Sequence, residues 1–195
     1  MTTLAIRPFR YWALRYRRQW VDGLVVSFAQ PLLYLGAIGF GLGRLVDANA
    51  PPTLAGVRFA AYIAPGLMAA AAMQTASRDS SWPVMAALTY RNTYGAMLAT
   101  PLGVADVLLG HLGWTATRIG IASSAYFAVV VVFGLAAAPV AILAVPVAVL
   151  TGLAVAAPIM AYVATIFGDD QALALIDRLI IVPMFLLSGT FFPVT

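Results

Sequence analysis

Long apolar runs without a charged residue alternate with short arginine-bearing segments along this chain. The uncharged runs are 24–42, 59–76, 119–167 and 179–195. A helix crossing a hydrocarbon core of about 30 Å needs about 20 mostly apolar residues. The first, second and last runs are therefore each about one pass long. The third run as a single helix would be roughly 73 Å long, more than twice the core thickness. It must fold back, and the segment 134–139 (GLAAAP) is the turn, because Gly and Pro punctuate helices. The pattern predicts an all-α, polytopic membrane bundle with five passes at about 24–43, 59–77, 114–134, 140–164 and 178–194.

Composition agrees. Hydrophobic residues make up 63% of the chain and charged residues 9%, against about 25% charged in a soluble domain. There is too little polar side chain to cover a water-facing surface, which excludes a soluble enzyme, a disordered tail and a secreted scaffold. With no cysteine there is no disulfide framework, thiolate site or cysteine nucleophile. A single histidine, His111, excludes a two-histidine metal site. All eleven basic residues are Arg and all seven acids are Asp. Without lysine no G-x-x-x-x-G-K-[ST] loop exists, so this polypeptide is not itself a P-loop ATPase.

The net charge of +4 bears on membrane orientation rather than on nucleic acid. With the N-terminus in the cytoplasm, Arg7, Arg10, Arg15, Arg17, Arg18, Arg78, Arg91, Arg118 and Arg178 lie inside, against Arg44 and Arg58 outside. That is the positive-inside arrangement. The first run exceeds the core of a signal peptide, about 7–15 residues, and is read as a retained pass.

Residues 4–20 (LAIRPFRYWALRYRRQW) place Phe9, Trp12, Ala13, Tyr16 and Trp20 on one helical face. Arg7, Arg10, Arg17 and Arg18 lie on the other, with Arg15 at the edge. This is the pattern of a helix in the membrane interface, with rings at head-group level and guanidinium groups on lipid phosphates. It serves either as an orientation signal alone or also as a surface for a cytoplasmic partner. No carboxylate or histidine falls near the middle of a predicted pass, which weighs against a proton-coupled transporter. Pro31, Pro65, Pro146, Pro158 and Pro183 are expected to interrupt helices, and Gly39-x-x-x-Gly43 is a candidate close-packing motif. His111 reads as a rim residue with no positioned partner.

The segment 78–113 is the longest predicted non-spanning stretch after the N-terminus, yet it is half apolar. Residues 86–99 predict a short amphipathic helix ended by Pro101, and Asp106 is placed to start the next helix. A helix with an apolar face at this rim must lie on lipid or dock on protein.

Two stretches carry a family resemblance. YGAMLATPLGVADVLLG, with Thr100-Pro101-Leu102 and Gly110, resembles the cytoplasmic loop of type-2 ABC exporter permeases. The segment from Pro183 through Phe185-Leu186-Leu187-Ser188-Gly189 to Phe191-Phe192-Pro193 resembles that family's second signature. Ala64-Pro65-Gly66-Leu67 fits as well. The likeness is greatest to lipo-oligosaccharide nodulation exporters and daunorubicin-type drug exporters.

The resemblance implies a permease subunit of an ATP-driven exporter in the plasma membrane, multi-pass, with its N-terminus cytoplasmic. It implies six passes, an interfacial N-terminal helix over 1–23, a permease domain over 24–195 and pairing with a second permease copy. A separately encoded ABC ATPase binds ATP and magnesium, so no cofactor is expected in this chain, and neither is nucleic acid. The cargo class is an amphiphilic drug, lipid or lipo-oligosaccharide. Carried over by position, Arg91, Tyr94, Met97, Leu98, Thr100 and Pro101 couple to the ATPase. Phe185, Ser188, Gly189, Phe191, Phe192 and Pro193 belong to the external gate. Gly95 stands where the family often has glutamate, which removes a charge able to pair with the ATPase. The chain ends at Thr195, so the expected sixth pass is absent; the alternative reading is a truncated, non-transporting membrane protein, and below it a secondary transporter or channel fragment. A membrane-embedded enzyme ranks last, because acid–base and nucleophilic groups are so few.

Overall fold

The computed structural model describes residues 4–17, 29, 32–33, 35–43, 48, 59–136, 139–166, 168 and 170–187. In chain order these form α1 (Ile6–Tyr16), a π-helical α2 (Leu35–Leu42), α3 (Phe59–Ser80), α4 (Trp82–Met85), α5 (Thr93–Leu98), α6 (Val104–Val132) and α7 (Ala144–Val163). A helical segment α8 over 170–187 follows. No strand occurs among the described residues, so the all-α class holds.

Among the described residues three helical stretches are long and apolar enough to cross a membrane: 59–90, 104–132 and 139–163. They overlap the second, third and fourth expected passes. Most of the first expected pass and the end of the fifth lie outside the described residues. Gly134, at φ 66°, ends α6 where glycine alone is relaxed, and Pro139 opens a 3₁₀ turn leading into α7. The fold-back therefore sits where the Gly–Pro pattern put it.

Helix α3 is the centre of the bundle, buried along most of its length. α6 is buried at Val107, Gly110, His111, Thr115, Ile119, Ser123, Tyr126 and Val130, one helical face that meets α3 and, at Gly110 and His111, α1. α7 offers Ala148, Gly152 and Ala156. These small residues let two backbones approach, the packing mode of helices that cannot rely on a hydrophobic driving force in lipid. A Cβ on Gly152 would lie 3.2 Å from the carbonyl oxygen of Ala72 and 2.4 Å from Ile119 Cδ1. The outward faces stay apolar: Val132 is 83% exposed, and Leu150 and Val147 are exposed as well.

Three expectations change. Pro65 and Pro158 sit inside continuous helices, and Pro146 lies in the first turn of α7, where no intrahelical N–H bond is needed. They do not interrupt these helices. The helix expected over 86–99 is broken in two. Residues Ala86–Tyr90 form a wide π turn closed by Arg91 N–H donating to Ala86 O (2.8 Å), and Asn92 then reverses the chain at φ 45°. Asn tolerates this left-handed conformation better than most residues. Finally, α6 begins at Val104, well before the expected start of the third pass near 114. Asp106 accepts from the Gly103 N–H (3.1 Å) and fixes that start.

Candidate functional site: the junction of α1, α5 and α6

One end of the bundle gathers nearly all the polar chemistry. Helix α1 crosses α6 at Gly110, where a Cβ would lie 2.7 Å from Ala5 O, 2.7 Å from Pro8 Cβ and 3.0 Å from Phe9 N. The absent side chain is what lets the two backbones touch. Phe9 and Tyr16 then flank Trp114, with ring centroids at 5.8 and 5.5 Å. Trp12 is buried and stacks on His111 at 4.1 Å. The aromatic face that the sequence directs toward lipid is therefore turned largely onto α6, while Arg7, Arg10 and Arg17 remain exposed. Trp20 lies outside the described residues.

His111 is fully buried and does have positioned partners, contrary to the reading of a lone rim residue. Its Nδ1 shares a 2.5 Å hydrogen bond with the Tyr94 hydroxyl. Burial pushes the Tyr94 phenol well above its ordinary pKa, so it stays protonated. Beside them Arg118 of α6 forms an ion pair with Asp79 at the end of α3, and its guanidinium lies 4.4 Å over the Tyr16 ring. One polar cluster thus ties α1, α3, α5 and α6 together.

The candidate coupling residues divide accordingly. Tyr94 faces inward to His111. Arg91, Leu98, Thr100 and Pro101 are exposed, and Met97 is half-buried. Thr100 Oγ1 donates to Met97 O (2.6 Å), closing the last turn of α5 before Pro101. The turn after α7 lies against this region, with Gly168 N–H donating to Met85 Sδ (3.2 Å). Phe185 lies in α8, and its side chain is outside the described part. Ser188, Gly189, Phe191, Phe192 and Pro193 lie outside the described residues. The Tyr94–His111–Trp12 contact was not legible in the sequence, because it joins residues far apart along the chain. Among the described residues no group of three His, Asp or Glu could hold a metal ion.

The ABC-2 type transporter model matches residues 9–195. The chain belongs to the ABC-2 type transporter family. Relatives of this ABC-2 family protein include nodulation protein J of Sinorhizobium fredii (strain NBRC 101917 / NGR234), 30% identical over 93% of this chain and 67% of that protein. Nodulation protein J of Neorhizobium galegae is 32% identical over 88% of this chain and 63% of its own length. That of Rhizobium leguminosarum bv. trifolii is 31% identical over 94% and 70%. The ABC-2 chain thus spans about two thirds of the length of these relatives. No solved structure matches it. Family and apolar helices together make it a multi-pass membrane protein.

Replacing Tyr94 by Phe in this ABC-2 protein is expected to leave the buried Nδ1 of His111 unpaired. The expected loss is about 1–3 kcal/mol, seen in thermal unfolding of the detergent-solubilised chain. An unchanged midpoint would show that Nδ1 finds water instead.

Proposed function

We propose that this chain is the membrane-spanning permease subunit of an ATP-driven ABC exporter in the plasma membrane, working paired with a second permease copy. Its N-terminus and α5 face the cytoplasm, where a separate ATPase binds ATP and magnesium. Closure of the ATPase pushes on α5, and the paired permease alternates between inward and outward access. The cargo is an amphiphile: a drug, a lipid or a lipo-oligosaccharide. Phe185, Ser188, Gly189, Phe191, Phe192 and Pro193 contribute the external gate.

The observation that carries this reading is the shape of α5. It is a short helix with no fully buried residue, standing at the end of the bundle and presenting Leu98 to solvent. Its inward anchor, Tyr94, is bonded to the same histidine on which α1 stacks. A push on α5 is therefore delivered to α1 and α6 together. The apolar outer face of α5 suits a protein partner, since a helix needing only solvation would expose polar side chains.

The test is co-purification with a co-expressed cognate ABC ATPase. The pair is expected to be recovered together, and Met97→Asp combined with Leu98→Asp is expected to abolish recovery while the permease still inserts. Undiminished recovery of that variant would overturn the assignment of α5 as the docking helix.

A further inference from the structure

A pocket of about 100 Å³ opens between α1, the end of α3 and α6, with Trp12, Arg15, Tyr16, Asp79, His111 and Arg118 in its wall. Three of these residues carry a buried polar atom with no hydrogen-bond partner: the indole N–H of Trp12, Nη1 of Arg15 and Oδ2 of Asp79. Buried polar groups in folded proteins are rarely left unpaired, and those that are need an explanation. Three in one pocket wall point to an occupant.

The orphaned atoms define its chemistry. Arg15 and Trp12 offer donors, one of them cationic, and so ask for an anion rich in acceptors. Asp79 Oδ2 asks for a donor on the same molecule. The Asp79 side chain is only 9% exposed, and its other oxygen is held by Arg118. It is not free to turn away. Arg15 and Arg118 against Asp79 leave one positive charge in excess, which water does not compensate. The space is several times the roughly 30 Å³ share of one water molecule. The exposed Arg7, Arg10 and Arg17 lie on the same helix, α1.

We propose that this pocket holds the phosphodiester of a membrane phospholipid whose head group brings its own hydrogen-bond donor, such as ethanolamine or glycerol. The assignment rests on the reading of α1 as a helix at the cytoplasmic membrane interface. Phosphate oxygens accept from Arg15 and Trp12, and the head-group N–H or O–H donates to Asp79 Oδ2. Phosphocholine has no such donor and leaves Asp79 unpaired. The bound lipid pins α1 against α6 beside the His111 stack, so that it becomes part of the junction.

The experiment is native mass spectrometry of the full chain purified in detergent, offered phosphatidylethanolamine, phosphatidylglycerol or phosphatidylcholine, each in turn. The first two are expected to be retained at least about tenfold better than the third, the factor that one charge-assisted hydrogen bond is worth. Arg15→Gln is expected to lose the retained lipid. Trp12→Phe, which keeps an aromatic ring beside His111 but removes the N–H together with the five-membered ring, is expected to weaken it. Arg10→Gln, outside the pocket, is expected to leave the preference for the first two lipids over the third unchanged. Equal retention of all three lipids, or retention unaffected by both pocket variants, would overturn the proposal. So would binding of inorganic phosphate with no preference among lipids, which would make the pocket a site for a soluble anion. No ATPase is present in this measurement, so its failure is separable from failure of the permease reading.

Discussion

Replacing Asp79 by Asn is expected to destabilise the bundle by about 3–5 kcal/mol, the cost of leaving one member of a buried ion pair alone. Asn keeps the shape and removes the charge. Arg118 is then left with its guanidinium largely buried, against the Tyr16 ring and without a counter-ion. Because the pair joins α3 to α6, and Tyr16 brings in α1, the loss falls on the docking of three helices together. Changing both residues, Asp79→Leu with Arg118→Leu, is expected to restore most of the stability, since neither charge is then stranded. The measurement is unfolding of the purified chain in mixed micelles of increasing denaturing detergent. A loss below about 1 kcal/mol for Asp79→Asn would mark the pair as water-screened, like an ordinary surface salt bridge.

Gly110→Ala is expected to lift α1 from the bundle. The added methyl meets two backbone atoms of α1 and the Cβ of Pro8, none of which can rotate away. The helix must shift bodily, at an expected cost of about 1–3 kcal/mol for overpacking. Trp12 then leaves His111, and the pocket behind it opens. Trypsin reports this directly, because Arg10, Arg15 and Arg17 lie on or beside α1. Cleavage at these sites is expected to accelerate in Gly110→Ala. Gly120→Ala is the control on the same helix: its Cβ would meet only Val149 Cγ2 at 3.8 Å, an ordinary contact. Equal cleavage rates for the two variants would show that the close crossing at Gly110 does not hold α1 in place.

These two positions also show where sequence reasoning stops. Gly110 stood out only as part of a motif, and its reason is a crossing with a helix about a hundred residues earlier in the chain. The arginine pattern places Arg118 on the cytoplasmic side, and nothing in the sequence names Asp79 as its partner. The sequence singles out Gly39-x-x-x-Gly43 as the close-packing motif, whereas among the described residues the close approach to α3 is made by Gly152, between Ala148 and Ala156 of α7. Glycine at 95 was noted as a missing charge. In the fold a Cβ there would meet the Asn92 side chain, with Oδ1 at 2.1 Å, so glycine also makes room for the turn that precedes α5.

Hydropathy and arginine placement alone determined that this is an all-α membrane bundle, where its long run folds back and which end gathers charge. They could do so because the lipid interior admits only hydrogen-bonded helices as single apolar segments, and that constraint acts on each run separately. Only the tertiary structure decided that the N-terminal aromatic face docks on α6, that α5 is anchored through Tyr94 to His111, and that three orphaned polar atoms share one pocket. Those facts depend on which side chains meet across distant segments, and periodicity along one segment carries no information about its partner.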